Sequence, residues 1–182
     1  MSYTSIEKIE EIKERKVLFI DLETTGLVKN VKQLNIEQEK RYPNYKNNEN
    51  YESSRIVQIG YIYIESFDYD YEILPINIKS IIIKPENFII PEETIIIHGI
   101  TNEKANEEGI LLNEGLKKIK KLINKSEYII GYNIYFDINI IMNELYRKGL
   151  KNPIKKIKEL KEDEKILCVG ELSKQYKNYI PS

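Results

Sequence analysis

The stretch Val17-Leu18-Phe19-Ile20 is an uninterrupted apolar run that stops abruptly at Asp21. Such a run reads as a strand buried on both faces, which only a sheet covered on both sides can hold. It therefore predicts the first strand of an α/β fold. Asp21 and Glu23 stand two residues apart at its end. Strand side chains alternate in direction, so both carboxylates aim at one spot.

The rest of the chain predicts the surroundings of that strand. Upstream, Thr4 and Glu7 have capping-box spacing and Ile6, Ile9 and Ile12 recur every three residues, which predicts a short amphipathic helix over residues 5–15. Residues 28–54 are polar, rich in Asn, Lys, Glu and Tyr and without periodicity, and read as an inserted loop. Within it Lys40, Arg41, Tyr42, Tyr45, Lys46 and Tyr51 could stack on and neutralise a single strand. A solvent-facing loop is the simpler account. Residues 55–65 and 76–84 are β-branched and aromatic, separated by an acidic, Tyr-rich stretch and Pro75, and predict two antiparallel neighbours of the first strand.

Pro85 and Pro91 then break the chain ahead of Ile95–Thr101. Leu112, Leu116, Ile119 and Ile123 follow at helical spacing, with Lys117, Lys118, Lys120 and Lys121 forming a solvated face. Tyr128–Gly131 is a short strand, and Ile138, Ile141, Met142 and Leu145 mark a helix ending near Gly149. Residues 153–162 predict another helix, with Ile154, Ile157 and Leu160 inward, and Ile166–Val169 a last strand. Beyond Val169 no cap or apolar stripe announces a closing helix. The order is β-β-β-α-β-α-α-β in a single domain spanning residues 1–182.

Composition narrows the classes. A net charge of -1 and a pI near 6.0 give no global positive field, although bound divalent cations can supply local charge to a nucleic-acid site. The sole cysteine, Cys168, excludes an intrachain disulfide framework and a Cys-rich zinc site, and reads as a small buried hydrophobe. The charged N-terminal stretch and the absence of a long apolar run predict a soluble, intracellular protein with no membrane partner. The 34 isoleucines beside a single alanine, Ala105, point to an AT-rich genome, such as a parasite's or a large DNA virus's, with the cytoplasm or a viral replication compartment as the location.

Asp21 and Glu23 offer hard oxygen ligands, which suit Mg²⁺ or Mn²⁺ better than zinc. In isolation, though, two carboxylates at a strand end are a common way for a chain to enter solvent. Three ordered segments go further. Phe19–Leu27 (FIDLETTGL), Ile97–Thr101 (IHGIT) and Gly131–Asp137 (GYNIYFD) together resemble the motifs of the DnaQ-like (DEDD) 3′→5′ exonucleases, over roughly residues 17–150.

That resemblance implies an RNase H-like fold: a mixed sheet of three antiparallel strands plus parallel ones, flanked by helices. It implies hydrolysis of phosphodiester bonds at single-stranded DNA or RNA 3′ ends with two ions of Mg²⁺ or Mn²⁺, about 3.5–4 Å apart on either side of the scissile phosphate. Asp21 would bridge both ions, Glu23 support the nucleophile side and Asp137 bind the second. Asn133 and Asp137, four residues apart, are expected to share one face of the helix start. The resemblance places Thr24 near the terminal 3′-hydroxyl through its backbone. Leu27 and Ile97 become apolar wedges against the last bases, and Asn133 and Phe136 shape the same pocket. His98, the sole histidine, takes a structural or substrate-side role on a loop, because the family's general base belongs to a later motif.

That later motif, H-x-x-x-x-D or its tyrosine variant, does not occur in Gly170–Ser182 (GELSKQYKNYIPS). The fold is therefore expected to be C-terminally incomplete, without its catalytic helix. Loss of a general base alone removes about 10²–10⁴ in rate, so the chain is expected to be weak or inactive as it stands. Intact Asp21, Glu23 and Asp137 favour a recently shortened enzyme, its missing motif restored in cis or supplied by another chain. The competing reading is a non-catalytic module that binds nucleic acid or docks on a polymerase.

Overall fold

The computed structural model describes residues 15–32, 38–65 and 78–176. The helix expected over residues 5–15 and the first part of the strand expected over 76–84 lie outside them. Five strands form one sheet in the order β3-β2-β1-β4-β5. They are β1 (Val17–Thr24), β2 (Ile56–Ile64), β3 (Lys79–Ile82), β4 (Tyr128–Gly131) and β5 (Ile166–Cys168). β1 pairs antiparallel with β2, from Val17↔Ile64 to Thr24↔Ile56, and β2 antiparallel with β3. On the other side β1 pairs parallel with β4, and β4 with β5. The expected mixed sheet is present.

The apolar run works as its composition demands. Leu18, Ile20 and Leu22 enter the main core together with the stripes of α4 (Leu112–Lys125), α5 (Tyr135–Arg147) and α6 (Lys151–Glu162). Val17 and Phe19 face the opposite side, with Tyr128, Ile130 and Leu167. The predicted inward residues Leu116, Ile119, Ile123, Ile138, Ile141, Ile157 and Leu160 are all buried, and each such side chain contributes roughly 1.5–3 kcal/mol. Cys168 is buried as well.

Four local expectations change. β1 extends through Thr24, so Asp21 and Glu23 lie within the strand rather than at its end. The 28–54 segment carries a short helix, α1 (Gln38–Arg41), and a 3-10 turn (Asn48–Tyr51). Tyr51 is buried and donates its hydroxyl to the Pro43 carbonyl at 2.6 Å, so it anchors the segment and is withdrawn from strand contact. The region before α4 folds into α2 (Glu92–His98) and α3 (Asn102–Glu108), seven residues each, too short to display a stripe. Gly99 closes α2 in the left-handed conformation and the Thr101 hydroxyl caps α3. His98 thus ends a helix rather than lying on a loop.

Finally, Val169–Tyr176 is a helix, α7, where no closing helix was expected. It is only eight residues long and anchors through Leu172 on the Val17, Tyr128, Ile130 and Leu167 cluster. Val169 is exposed, so Leu172 is a single anchor and makes no readable stripe.

Candidate active site

The site forms where β1 outruns its parallel neighbour. The last β1–β4 pair is Phe19↔Ile130, and β4 ends at Gly131. A Cβ at Gly131 would stand 2.7 Å from the Ile20 carbonyl oxygen and 2.7 Å from Ile134 Cδ1, so glycine alone lets the two backbones come this close. The chain then reverses through Asn133, at φ 53 in the left-handed region that asparagine tolerates. α5 begins at Tyr135. Asn133 therefore precedes the helix and does not share a helical face with Asp137.

This turn aims Asp137 at β1. Its Oδ1 accepts the Leu22 N–H at 2.9 Å, and the residue is only 2% exposed. Leu22 is the residue between Asp21 and Glu23, so Asp137 is pinned between the two strand carboxylates. Asp21 is exposed and Glu23 partly buried, while Leu22 points into the core.

The three acids repel one another. Burial, then the charges of Asp21 and Glu23, push Asp137 up to about 8, against the opposing pull of the Leu22 N–H. Glu23 is raised by burial and by Asp21, and Asp21 by burial. The cluster lacks positive charge, and its donors are all oxygen, which fits a hard divalent cation. Among the described residues no three His, Cys, Asp or Glu side chains close around a single point. A cation here would keep water or phosphate oxygens in its shell, as Mg²⁺ does.

The other expected residues fall as follows. Thr24 is buried and its hydroxyl donates to the Gly26 carbonyl at 2.9 Å. Gly26 has φ 148, and a Cβ on it would meet the Ser53 carbonyl at 3.0 Å. The turn leaving β1 is thus built against the 28–54 segment, where Thr25 also donates to Ser53 O at 3.0 Å. Leu27 and Ile97 are 78% and 79% exposed, which is unusual for large apolar side chains.

His98 Nδ1 accepts the Ile100 N–H at 3.1 Å, which leaves the proton on Nε2, buried and without a partner among the described residues. Burial lowers its pKa, and none of the three acids acts on it. It does not sit with the carboxylates as a base would. Phe136 packs beside Asp137 against Tyr42 of the 28–54 segment, with ring centroids 6.4 Å apart.

Sequence reasoning missed two contacts. Glu144, two turns along α5 from Asp137 and 1% exposed, accepts Arg55 Nε at 2.6 Å, and the Arg55 N–H in turn donates to Thr25 Oγ1 at 2.9 Å. Helix and motif strand are thereby locked together. The second is Tyr42 itself, whose ring meets Phe136 and whose hydroxyl lies near the Asn133 side chain. The cluster of tyrosines in the polar segment was its only signal.

A family model described as exonuclease, RNase T, matches residues 18–179. Among curated proteins none matches the sequence. Among solved structures, a product-bound exonuclease I is similar at 22% identity with a TM-score of 0.51, over 74% of this chain and 26% of that one. The exonuclease I of Methylocaldum szegediense aligns at 23% identity and TM-score 0.50, over 73% and 24%. A zinc-bound complex of E. coli exonuclease I with single-stranded DNA aligns at 22% and 0.51, over 74% and 24%. The chain spans about a quarter of the length of these structures.

Proposed function

The chain belongs to the RNase T exonuclease family, DnaQ-like with an RNase H-like fold, and from that premise we propose that it removes nucleotides from single-stranded 3′ ends with divalent-cation assistance. The observation that carries this reading is the Asp137 Oδ1–Leu22 N–H contact, which draws a buried carboxyl from α5 between the two strand carboxylates. Neighbouring acids that raise the pKa of Glu23 and Asp137 destabilise the fold, and a divalent cation whose shell is completed by water or phosphate would offset that repulsion.

Asp21, Glu23 and Asp137 are the residues that would hold Mg²⁺ or Mn²⁺, with Asp21 shared between two ions, Glu23 on the nucleophile side and Asp137 on the other, directly or through water. Such ions supply charge at the scissile phosphate and make the attacking water more acidic. The chain's own residues orient the strand. The Thr24 backbone faces the terminal 3′-hydroxyl, exposed Leu27 and Ile97 press on the last bases, and His98, Asn133 and Phe136 line the remaining wall. Neutral His98 serves as a hydrogen-bond donor rather than as the base.

Neither a histidine nor a fourth carboxylate enters the electrostatics of the three acids. This reading therefore requires a proton acceptor from outside the described residues, in cis or from a partner chain. The same observation favours a second reading, a module that binds a strand or docks on a polymerase without turnover. A 5′-labelled single-stranded oligonucleotide incubated with the protein and Mg²⁺ tests both. Progressive 3′ shortening that disappears in Asp21→Ala supports the exonuclease. Equal shortening by both proteins overturns the assignment, and tight binding without shortening supports the module.

A further inference from the structure

Residues 42–52, on the approach to β2, lie against one face of α5 and are tied there at their far end. Asn143 Nδ2 donates to the Tyr45 carbonyl at 2.7 Å and to Asn48 Oδ1 at 2.9 Å. Arg147 donates to Glu52 at 2.7 Å and to the Asn48 carbonyl at 3.0 Å. These contacts hold the C-terminal half of the helix. At the N-terminal end, beside the acids, the segment delivers Tyr42. Its ring tilts 58° against Phe136 with centroids 6.4 Å apart, and its hydroxyl lies near the Asn133 side chain.

We propose that Tyr42 is a positioning residue of the nucleotide pocket, its ring fixing Phe136 as the wall beside Asp137 on which the terminal nucleotide of a single strand rests. The inference builds on the exonuclease reading above. Three features separate it from plain packing. Tyr51, not Tyr42, is the fully buried aromatic that anchors the segment to the core. Tyr42 is only partly buried, and its ring meets Phe136, the residue that precedes Asp137 on α5. And the pair of rings lies at the end of the segment nearest the acids, where an unstacked base needs an aromatic surface.

The test is fluorescence anisotropy of a 5′-labelled oligothymidylate with Ca²⁺ in place of Mg²⁺, so that binding is read without cleavage. Without the Tyr42 ring Phe136 loses its support, and a base deprived of its aromatic surface loses about 1–3 kcal/mol, so Tyr42→Ala should weaken binding roughly tenfold. Tyr42→Phe keeps the ring and should recover most of that loss. Tyr45→Ala removes a second partly buried ring from the same segment, next to Tyr146 at 6.0 Å, and should leave affinity unchanged. Urea midpoints of all three report the fold. Tight binding by wild type with Tyr42→Ala equally tight overturns this inference alone, and so does an equal loss in the Tyr42 and Tyr45 alanine variants. Absence of binding by wild type overturns the exonuclease reading and this inference with it.

Discussion

Replacing Asp137 with asparagine isolates the charge of the buried carboxyl from its shape. Asparagine Oδ1 can still accept the Leu22 N–H that Asp137 accepts at 2.9 Å, so the geometry of the clamp survives. What disappears is the titration. Asp137 stands at about 8 in the folded chain, against an ordinary 3.8. Its folded pKa is raised, so between those values the folded protein holds a proton that the unfolded chain has released, and stability falls as pH rises. The difference is roughly four units at about 1.4 kcal/mol each, a ceiling on the order of 6 kcal/mol reached only above pH 8. Only well below pH 3.8 is the wild-type carboxyl neutral in both states, so the two proteins should converge as pH falls toward that value. Urea unfolding in EDTA, followed by circular dichroism across pH 4.5–9, should show a wild-type midpoint that falls with pH and an Asp137→Asn midpoint that falls much less. Titrations away from the cluster cancel in the difference, while those of Asp21 and Glu23, which share charge repulsion with Asp137, change with it. Mg²⁺ should then restore wild type above pH 7 and do little for the variant. Parallel midpoints for the two proteins throughout this range would refute the mutual repulsion of the three acids.

Three further outcomes follow from the same geometry. Gly131→Val puts a branched side chain 2.7 Å from the Ile20 carbonyl, and over-packing of about 1–3 kcal/mol should appear as a lower thermal midpoint together with weakened Mg²⁺ binding by calorimetry. Glu144→Ala leaves Arg55, whose side chain is 13% exposed, without its partner at 2.6 Å and with only the longer Glu52 contact at 3.7 Å, and should cost up to about 3 kcal/mol in denaturant unfolding. Burial depresses the His98 pKa, so the unfolded chain takes up a proton that the folded one refuses. Stability should therefore hold above pH 6.5 and decline as pH falls below it, and His98→Gln should flatten that acid limb of the midpoint-pH curve.

The sequence made two of the three acids legible through the period of a strand. Leu22 faces the core, so its neighbours Asp21 and Glu23 must face away, whatever the rest of the chain does. The helix stripes were legible for the same reason, since Leu112, Leu116, Ile119 and Ile123 need only local spacing to be read. Elements of seven or eight residues escaped. α2, α3 and α7 each turn about twice, and they are fixed by a left-handed Gly99, a Thr101 cap and the single anchor Leu172 rather than by a repeating face.

What periodicity could not carry was the contact that makes a site of these residues. Asp137 meets Leu22 across 115 positions of sequence, through a turn whose left-handed Asn133 and side-chain-free Gly131 carry no hydrophobic pattern. The 28–54 segment makes the same point from the opposite direction. Its polarity suggested a solvent loop, yet Val28 and Tyr51 are buried and Asn143 and Arg147 of α5 bind Asn48 and Glu52, because a segment with few apolar residues to bury can also be ordered by satisfying polar groups on a helix. Tyr42 is carried to the acids by those polar ties, so the strand's own pattern located the carboxylates while the polar segment determined what stands beside them.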